Sequence, residues 1–200
     1  MTERDLFAVV SRQRACRAFS TDPVSDEDLA PLLEAATYAP SAENRQPWEF
    51  VIVRDADARA TIGDLTQRAW EAYGRPFSET RLSPGLLADV DHGATGGIAG
   101  APVHVVVCVD LERGLEATIG SSLFPAIQNL LLAATAMGLG SALTTLTTTF
   151  AGELTELLAL PPHVRPIAVI PIGRPARPLG KPRRDPFAAH THREQYGRAW

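Results

Sequence analysis

Cysteine is scarce in this sequence of 200 residues, which contains only Cys16 and Cys108. Two cysteines cannot build a disulfide framework, and neither stands in the paired spacing of a metal-binding motif. We expect Cys108, within VHVVVCVD, to be a small buried strand residue, and Cys16 to pack rather than to react. We predict no metal site.

Long apolar runs and an N-terminal leader are also missing. The amino terminus has no basic segment followed by an apolar run, and no apolar run in the sequence reaches membrane-spanning length. The hydrophobic content of 45% and the charged content of 21% are ordinary for a soluble globular domain. These absences predict a soluble, cytoplasmic protein with no membrane segment.

Acidic residues are absent from one basic stretch near the amino terminus. The segment SRQRACRAF, residues 11–19, holds Arg12, Arg14 and Arg17 and no acid, in a chain of net charge -4. The planar donors of arginine suit phosphate better than the point charge of lysine. The stretch therefore indicates an anion site, with a solvated helix end as the alternative. Arg12 itself is better explained as a surface residue.

The last 27 residues carry an excess of positive charge. Residues 174–200 hold seven of the 19 basic residues and only two acids, so they carry about +5 and the rest of the chain about -9. A basic tail can indicate nucleic-acid binding. Interleaved aromatic residues are missing here, and the acidic body would repel a phosphate polymer. We therefore predict no nucleic-acid partner.

Hydrophobic periodicity predicts alternating helices and strands. The second helix should begin at a capping box formed by Ser25 and Asp28 and end at Pro40, and Trp48 should start a buried strand as a core aromatic. The helix over 122–138 is apolar nearly all round, so it should be central, with a subunit interface as one possible role. Three other helices are predicted: one over residues 5–12, one that begins near residue 55, and one at GELTELLAL. The other predicted strands are APVHVVVCVD, SALTTLTTT and RPIAVIPIG.

The segment 75–100 shows little periodicity and is long for a plain connection, which favours a lid or substrate loop. Trp70, Tyr73 and Phe77 beside it could line a substrate pocket or anchor such a lid. The alternation of elements by itself favours a three-layer α/β arrangement with a parallel sheet. We predict one domain over 1–173, followed by an extended basic arm over 174–200.

Four motifs in order resemble the flavin-dependent nitroreductase family. They are RQRACRAFSTDPV, the segment APSAENRQPWEFVIV, the helix and strand SSLFPAIQNLLLAATAMGLGSALTT, and the closing PIGRP…KPRRDP. The second motif matches the family pattern at Pro40, Ser41, Asn44, Gln46, Pro47 and Trp48. The resemblance runs from about residue 4 to residue 190. It implies an α+β fold, a three-layer sandwich whose mixed, mainly antiparallel sheet is flanked by helices.

The resemblance also implies noncovalent FMN and assigns residues to it. By position, Arg17 matches the basic residue at the pyrimidine edge of the flavin, and Arg14 with the backbone of Ala15 matches the phosphate site. Two departures from the family pattern concern this site, because Gln13 replaces a frequent Arg and Ala15 a frequent Ser. Arg183 and Arg184 of the arm match residues that contact the phosphate, and Thr144 and Thr145 match a backbone stretch over one face of the flavin ring. The segment with Pro40, Ser41 and Asn44 matches one that lies by the flavin ring and that the partner subunit contributes.

The resemblance implies an FMN-dependent oxidoreductase. NAD(P)H would be the cosubstrate of a ping-pong hydride transfer to a small acceptor such as a nitroaromatic compound or a quinone. No protein side chain is assigned as catalytic, because the flavin performs the chemistry. The chain should form a homodimer with its sites at the interface.

Other functions occur on the same scaffold, and they stay open at this point. They are flavin-destroying dimethylbenzimidazole synthases, reductive dehalogenases, peptide-azoline dehydrogenases and flavin-binding storage or regulatory proteins. Among the histidines, His190 and His192 form a weak metal pattern that solvated side chains explain better, and His92 should be solvated in its loop.

Overall fold

The structure is a computed structural model that describes residues 3–200, with side chains from Leu6 onward. Its helices are α1 Glu3–Val10, α2 Asp26–Thr37, α3 Ala56–Ala69, α4 Arg75–Ser78, α5 Pro84–His92, α6 Ile119–Ala136 and α7 Ala151–Leu157. Its strands are β1 Trp48–Val53, β2 Val103–Asp110, β3 Gly140–Ser141 and β4 Val164–Gly173.

The four strands form one sheet in the order β1-β2-β4-β3, and every pairing between these strands is antiparallel. The antiparallel sheet expected from the family resemblance is therefore confirmed, and the parallel sheet favoured by alternation alone is wrong. A parallel pair is usually joined by one crossover helix, whereas three helices connect β1 to β2 here. The alternation of helices and strands therefore does not determine whether β2 runs parallel or antiparallel to β1. A parallel bridge joins Ala15 to Ser141 at the β3 edge.

Helices cover both faces of the sheet, which gives the predicted three layers. Alternate residues of β2 point to opposite faces. Val105 and Val107 pack with α2 and α6 on one face, whereas Val106 and Cys108 pack with α3 and α7 on the other. Cys108 is thus the buried strand residue that the sequence predicted. Trp48, 6% exposed, is a core aromatic at the start of β1.

The capping box predicted for α2 is present. Ser25 Oγ accepts from the Asp28 N–H at 3.1 Å, and the Asp28 carboxylate accepts from the Ser25 N–H at 3.3 Å. The helix ends at Thr37 rather than at Pro40. The residue before a proline is driven out of the helical region, so α2 has already ended when the chain reaches Pro40.

The helical stretch Glu116–Ala136 is apolar and long enough to cross a membrane by length and composition, since an 18-residue window within it has a mean hydropathy of 1.3. The expectation that no stretch reaches this length was wrong. The stretch is nevertheless a core helix here, because Leu123, Ile127 and Leu130 are buried against the sheet.

Two segments differ from the sequence predictions. The segment 75–100 is mostly helical, formed by α4, α5 and a wider helical turn at Gly93–Gly97. SALTTLTTT forms only the end of β3 and one bridge between Thr144 and Val169, before a 3-10 turn at Thr147–Phe150. Thr144 Oγ1 accepts from the Leu146 N–H at 3.2 Å, which turns the chain away from the sheet.

Residues 174–200 follow β4 as a mostly irregular, largely exposed arm. The arm contains a 3-10 turn at Phe187–His190, and a bridge between His192 and Ala199 folds its end back. The ring of Trp200 packs edge-on against Phe187 at a centroid distance of 5.9 Å.

Candidate functional site

The arginine stretch lies along the sheet edge, between β3 and the start of the arm. The Cys16 N–H donates to Ser141 O at 2.9 Å, and the Ala176 N–H donates to Ala18 O at 3.0 Å. Cys16 is buried, and a Cβ on Gly140 would lie 2.6 Å from its sulfur. Burial raises the pKa of the Cys16 thiol above its ordinary value. These contacts agree with the packing role expected for Cys16 and fix the backbone between Arg14 and Arg17.

The end of α5 and the turn after it lie directly on Arg17. A Cβ on Gly93 would lie 2.5 Å from Arg17 Cδ, and one on Gly97 would lie 1.9 Å from the Arg17 carbonyl oxygen. Only residues without a Cβ allow this approach. The Arg17 guanidinium meets Asp89 of α5, with Nη1 2.8 Å from Oδ2.

The same helical turn is anchored from the sheet side by His104. His104 Nε2 donates to Ile98 O at 2.8 Å, just beyond Gly97. Burial, and to a smaller extent the nearby charge of Arg59, lower the pKa of His104 to about 4. Nδ1 of His104 has no hydrogen-bond partner among the described residues. His104 is thus a neutral structural donor behind the site.

Arg14 and Arg17 open onto a strongly basic cavity of about 590 Å³. Arg14 Nη1 donates to Gly180 O at 3.2 Å, which ties the arm to the arginine stretch. Asp89 is the single carboxylate among the lining residues described. The basic lining residues are Arg14, Arg17, Arg177, Lys181, Arg183 and Arg184. This donor set fits a phosphate-bearing ligand such as FMN.

A second cavity, of about 310 Å³, opens on the other side of Arg17 and is mostly apolar. Thr144 and Thr145 line it at the start of the turn that leaves the sheet. Trp70 and Phe77 form another part of its wall. Arg17 therefore stands between a basic cavity and an apolar one, which suits a cofactor with a charged end and a planar aromatic end.

The aromatic residues beside the segment 75–100 have different positions. Trp70 is 2% exposed and donates from Nε1 to Asp91 Oδ1 at 2.9 Å, so it anchors α5 as well as lining the apolar cavity. Phe77 lines the cavity while remaining 65% exposed. Tyr73 is exposed and is outside the cavity lining.

The second motif lies elsewhere in a single chain. Pro40, Ser41 and Asn44 line neither the basic nor the apolar cavity, nor a smaller cavity of about 270 Å³ between Arg17 and the arm. Ser41 Oγ accepts from the Gln46 N–H at 3.0 Å, and Asn44 has a φ of 54° in the exposed turn between α2 and β1. Within the described chain, the two motifs thus border no common cavity.

The predicted surface residues have no place in these cavities. Arg12 is exposed and donates from Nε to Ala8 O at 3.1 Å. His190 Nε2 lies 3.8 Å from Asp185 Oδ2, and the ring of His192 packs against Tyr196. His92 is exposed at the end of α5.

Sequence reasoning missed three charged residues that border the basic cavity: Asp89, Arg177 and Lys181. Asp89 belongs to a segment whose glycine, proline and serine content hid its helices. The spacing of Asp89, Gly93 and Gly97, four residues apart each time, was the available signal for one helical face.

A family model supports the assignment that the motifs and the geometry suggest. The model described as "Nitroreductase family" matches residues 10–174. The chain belongs to the nitroreductase family. The match includes the arginine stretch, both cavity-lining threonines and the whole sheet, and it ends where the arm begins.

Two similar proteins cover most of this nitroreductase-family chain. The protein named FMN reductase (NAD(P)H) from Bacillus subtilis is 29% identical over 185 residues, 92% of this chain and 71% of the relative. The solved structure of a Desulfovibrio desulfuricans protein in complex with FMN has a TM-score of 0.73 and 28% identity. That comparison covers 98% of this chain and 99% of the other.

Other similar proteins have different chemistry in their names. A 5,6-dimethylbenzimidazole synthase from Rhodospirillum rubrum is 33% identical over 144 residues, 68% of this chain and 66% of the relative. The structure of oxidized iodotyrosine deiodinase bound to FMN and 3-iodo-L-tyrosine has a TM-score of 0.74 and 26% identity, covering 90% of this chain and 95% of that one.

Proposed function

We propose that this chain is an FMN-dependent oxidoreductase that passes a hydride from NAD(P)H to a small organic acceptor such as a nitroaromatic compound or a quinone. The observation that carries the proposal is the placement of Arg17 between a basic cavity and an apolar one. The Bacillus subtilis and Desulfovibrio desulfuricans proteins support FMN and NAD(P)H. Bound FMN supplies the hydride chemistry.

The residues of this chain hold and orient the cofactor. Arg14, Arg183 and Arg184 face the basic cavity and would bind the phosphate, for which their guanidinium groups are suited. The backbone of Ala15 borders the same cavity. Arg17 would face the pyrimidine edge of the flavin, where its charge favours electron uptake.

The ring end of the cofactor would lie toward the apolar cavity. Thr144 and Thr145 form one wall there, and their position is fixed because the Thr144 N–H donates to Val169 O at 3.0 Å. The helical segment 75–100, with Trp70 behind it, would cover this cavity and shield the reacting atoms from water. The lid role predicted for 75–100 thus remains a proposal. The segment that would act as the lid is helical rather than irregular.

A homodimer would complete the site. Pro40, Ser41 and Asn44 would reach the flavin ring from the partner subunit, since they lie away from the cavities of their own chain. A surface available for such a dimer is the apolar groove of about 430 Å³ between α1, α2 and α6. We place the dimer in the cytoplasm, as the sequence predicts.

The direct test of the function is anaerobic titration of the purified flavoprotein with NADH and NADPH. We expect the flavin absorbance to bleach rapidly with one nucleotide or both, and to return when a nitroaromatic compound or a quinone is added. Very slow bleaching by both nucleotides would contradict the proposal and favour a flavin-binding storage or regulatory protein.

A flavin-destroying synthase is the second candidate, favoured by the 33% identity to the Rhodospirillum rubrum protein. The same titration, continued in the presence of oxygen, separates the two functions. Loss of the flavin spectrum together with a benzimidazole product would support the synthase. Full recovery of the flavin spectrum would support the oxidoreductase. A reductive dehalogenase would instead release halide from a halogenated aromatic acceptor.

A further inference from the structure

The Arg17 guanidinium has a carboxylate partner inside the candidate cofactor site. Arg17 Nη1 lies 2.8 Å from Asp89 Oδ2, and both side chains are about three-quarters buried, with exposed fractions of 23% and 27%. At this exposure the pair is less screened by water than a surface ion pair. The charge that Arg17 presents to a ligand is therefore partly offset.

One face of a helical segment is shaped around Arg17. Asp89, Gly93 and Gly97 all approach Arg17, so they lie on the same side of the segment. Asp89 contacts the guanidinium, Gly93 lies on the aliphatic stem and Gly97 lies on the carbonyl oxygen. Gly93 packs on the stem of Arg17 and Gly97 on its backbone, and neither contact involves the carboxylate of Asp89. A change of charge at Asp89 therefore leaves both contacts in place.

The surroundings of Asp89 are otherwise positive. Arg177 of the arm has Nη2 3.8 Å from Asp89 Oδ1, and Arg14 lines the same cavity. The other acid in this part of α5, Asp91, points to Trp70 and Arg75 instead. Asp89 is thus the single described carboxylate that counters the cations of the cavity.

We propose that Asp89 sets the reduction potential of the bound flavin by pairing with Arg17. A flavin that gains a hydride gains negative charge near its pyrimidine edge, and an unpaired guanidinium there would raise its potential. Asp89 offsets part of that charge, which keeps the potential lower and makes the bound cofactor a stronger reductant. This inference rests on the proposed function.

The test compares three variants of the holoprotein by the two-electron reduction potential of bound FMN. Asp89→Asn keeps the shape of the side chain and removes its charge, so Arg17 is unpaired. We expect the ratio of FMN dissociation constants, oxidised over reduced, to rise about tenfold, equal to a potential about 30 mV higher. Asp89→Glu retains the charge and should stay near the wild-type value. Glu71→Gln is the control, because it removes the charge of an exposed carboxylate that bonds Gln67 rather than Arg17, and it should leave the ratio unchanged.

The outcomes separate this inference from the proposed function. An Asp89→Asn protein that binds FMN with an unchanged or lower potential would overturn the role of Asp89 while leaving the function standing. A shift of equal size in Glu71→Gln would overturn it too, because the effect would then come from the loss of any negative charge and not from the pairing with Arg17. If Asp89→Asn does not fold, Asp89→Ser gives the same comparison. A wild-type protein that binds no FMN would overturn the function and this inference together.

Discussion

Arg14 and Arg17 are three residues apart, but the structure gives them different surroundings. Arg14 donates to the arm at Gly180 and borders only basic cavities, whereas Arg17 also borders the apolar cavity that holds Thr144 and Thr145. A phosphate has the same charge in both redox states of the flavin, while the pyrimidine edge does not. The two arginines should therefore affect different properties of the bound cofactor.

Replacing Arg17 with Ala should lower the reduction potential of bound FMN by roughly 30–60 mV. A lost hydrogen bond to a charged edge is worth about 1.5–3 kcal/mol, and about 1.4 kcal/mol corresponds to roughly 30 mV for two electrons. Arg14→Ala should weaken FMN binding, more so at low salt, and leave the potential nearly unchanged. Spectroelectrochemistry on flavin-saturated variants measures both. Equal shifts, or a shift in Arg14→Ala alone, would show that the two roles are assigned wrongly.

His104 predicts how stability depends on pH. Its pKa is about 4 in the folded chain and about 6.5 in an unfolded one, so the unfolded chain binds the proton more readily. Above about pH 6.5 the imidazole is neutral in both states, so its contribution to the free energy of unfolding is fully present. As the pH falls, protonation of the unfolded chain lowers the free energy of unfolding, and the loss reaches roughly 3 kcal/mol by pH 4. His104→Gln keeps a donor for Ile98 and should lose much of this acid sensitivity in urea unfolding. His192→Gln, at an exposed position, is the control, and equal acid sensitivity of His104→Gln and wild type would contradict the account.

At the level of single residues, motifs predicted the contacts that lie close along the chain or on fixed elements. Arg14, Arg17 and the arm residues Arg183 and Arg184 border one cavity, and their contacts with a cofactor remain predictions. Asp89 was missed because a pairing across 72 residues depends on how α5 packs, which no local pattern records. The roles of Pro40, Ser41 and Asn44 remain predictions, because they concern a second chain.

At the level of elements, the segment 75–100 departs most from its sequence. Glycine, proline and serine weaken a helical pattern, yet tertiary contacts determine the outcome here, since Trp70 and Arg75 both bind the Asp91 carboxylate. The regular elements, such as α2 with its capping box and the buried β2, were predicted because their patterns are local. The strand predicted after Ser141 failed because a threonine side chain bonded the backbone two residues ahead.

Gly97 and Gly85 form a matched pair that tests the packing of this segment. Gly97→Ala would place a Cβ 1.9 Å from the Arg17 carbonyl oxygen, and such overpacking should lower the free energy of unfolding by about 1–3 kcal/mol. Gly85→Ala, in α5 with nothing within 4 Å of the new Cβ, should raise it by about 0.5–1 kcal/mol. Urea titrations of both variants give the values. Equal stability of the two variants would contradict the close packing of the segment on Arg17.

At the level of the whole molecule, a single chain leaves an apolar surface exposed that the proposed dimer would cover. Tyr38, Phe124 and Met137 are 78%, 44% and 39% exposed on the α2 and α6 side of the sheet. Large exposed apolar patches on one side of a domain mark association surfaces. The apolar character of α6 was visible in the sequence, whereas the antiparallel sheet was predicted by the family resemblance and not by the hydrophobic pattern. The geometry of the pairing follows from neither.

Met137→Asp should therefore weaken the dimer and the retention of FMN together, because a charge would be buried in the interface. Light scattering and flavin content, measured on the same sample, report the two effects. Thr149→Asp adds the same charge on the opposite side of the sheet, before α7, and should change neither. A stable wild-type monomer that still holds flavin would contradict the shared site.

The central claim is that the basic cavity binds noncovalent FMN, and the cofactor released by heat from the purified protein tests it most directly. Reverse-phase chromatography should identify FMN, at about one molecule per chain after reconstitution. The cations cluster around one cavity for a single terminal phosphate, and the sequence has no glycine-rich dinucleotide turn, which favours FMN over FAD. Release of FAD, or no flavin even after reconstitution, would contradict the account.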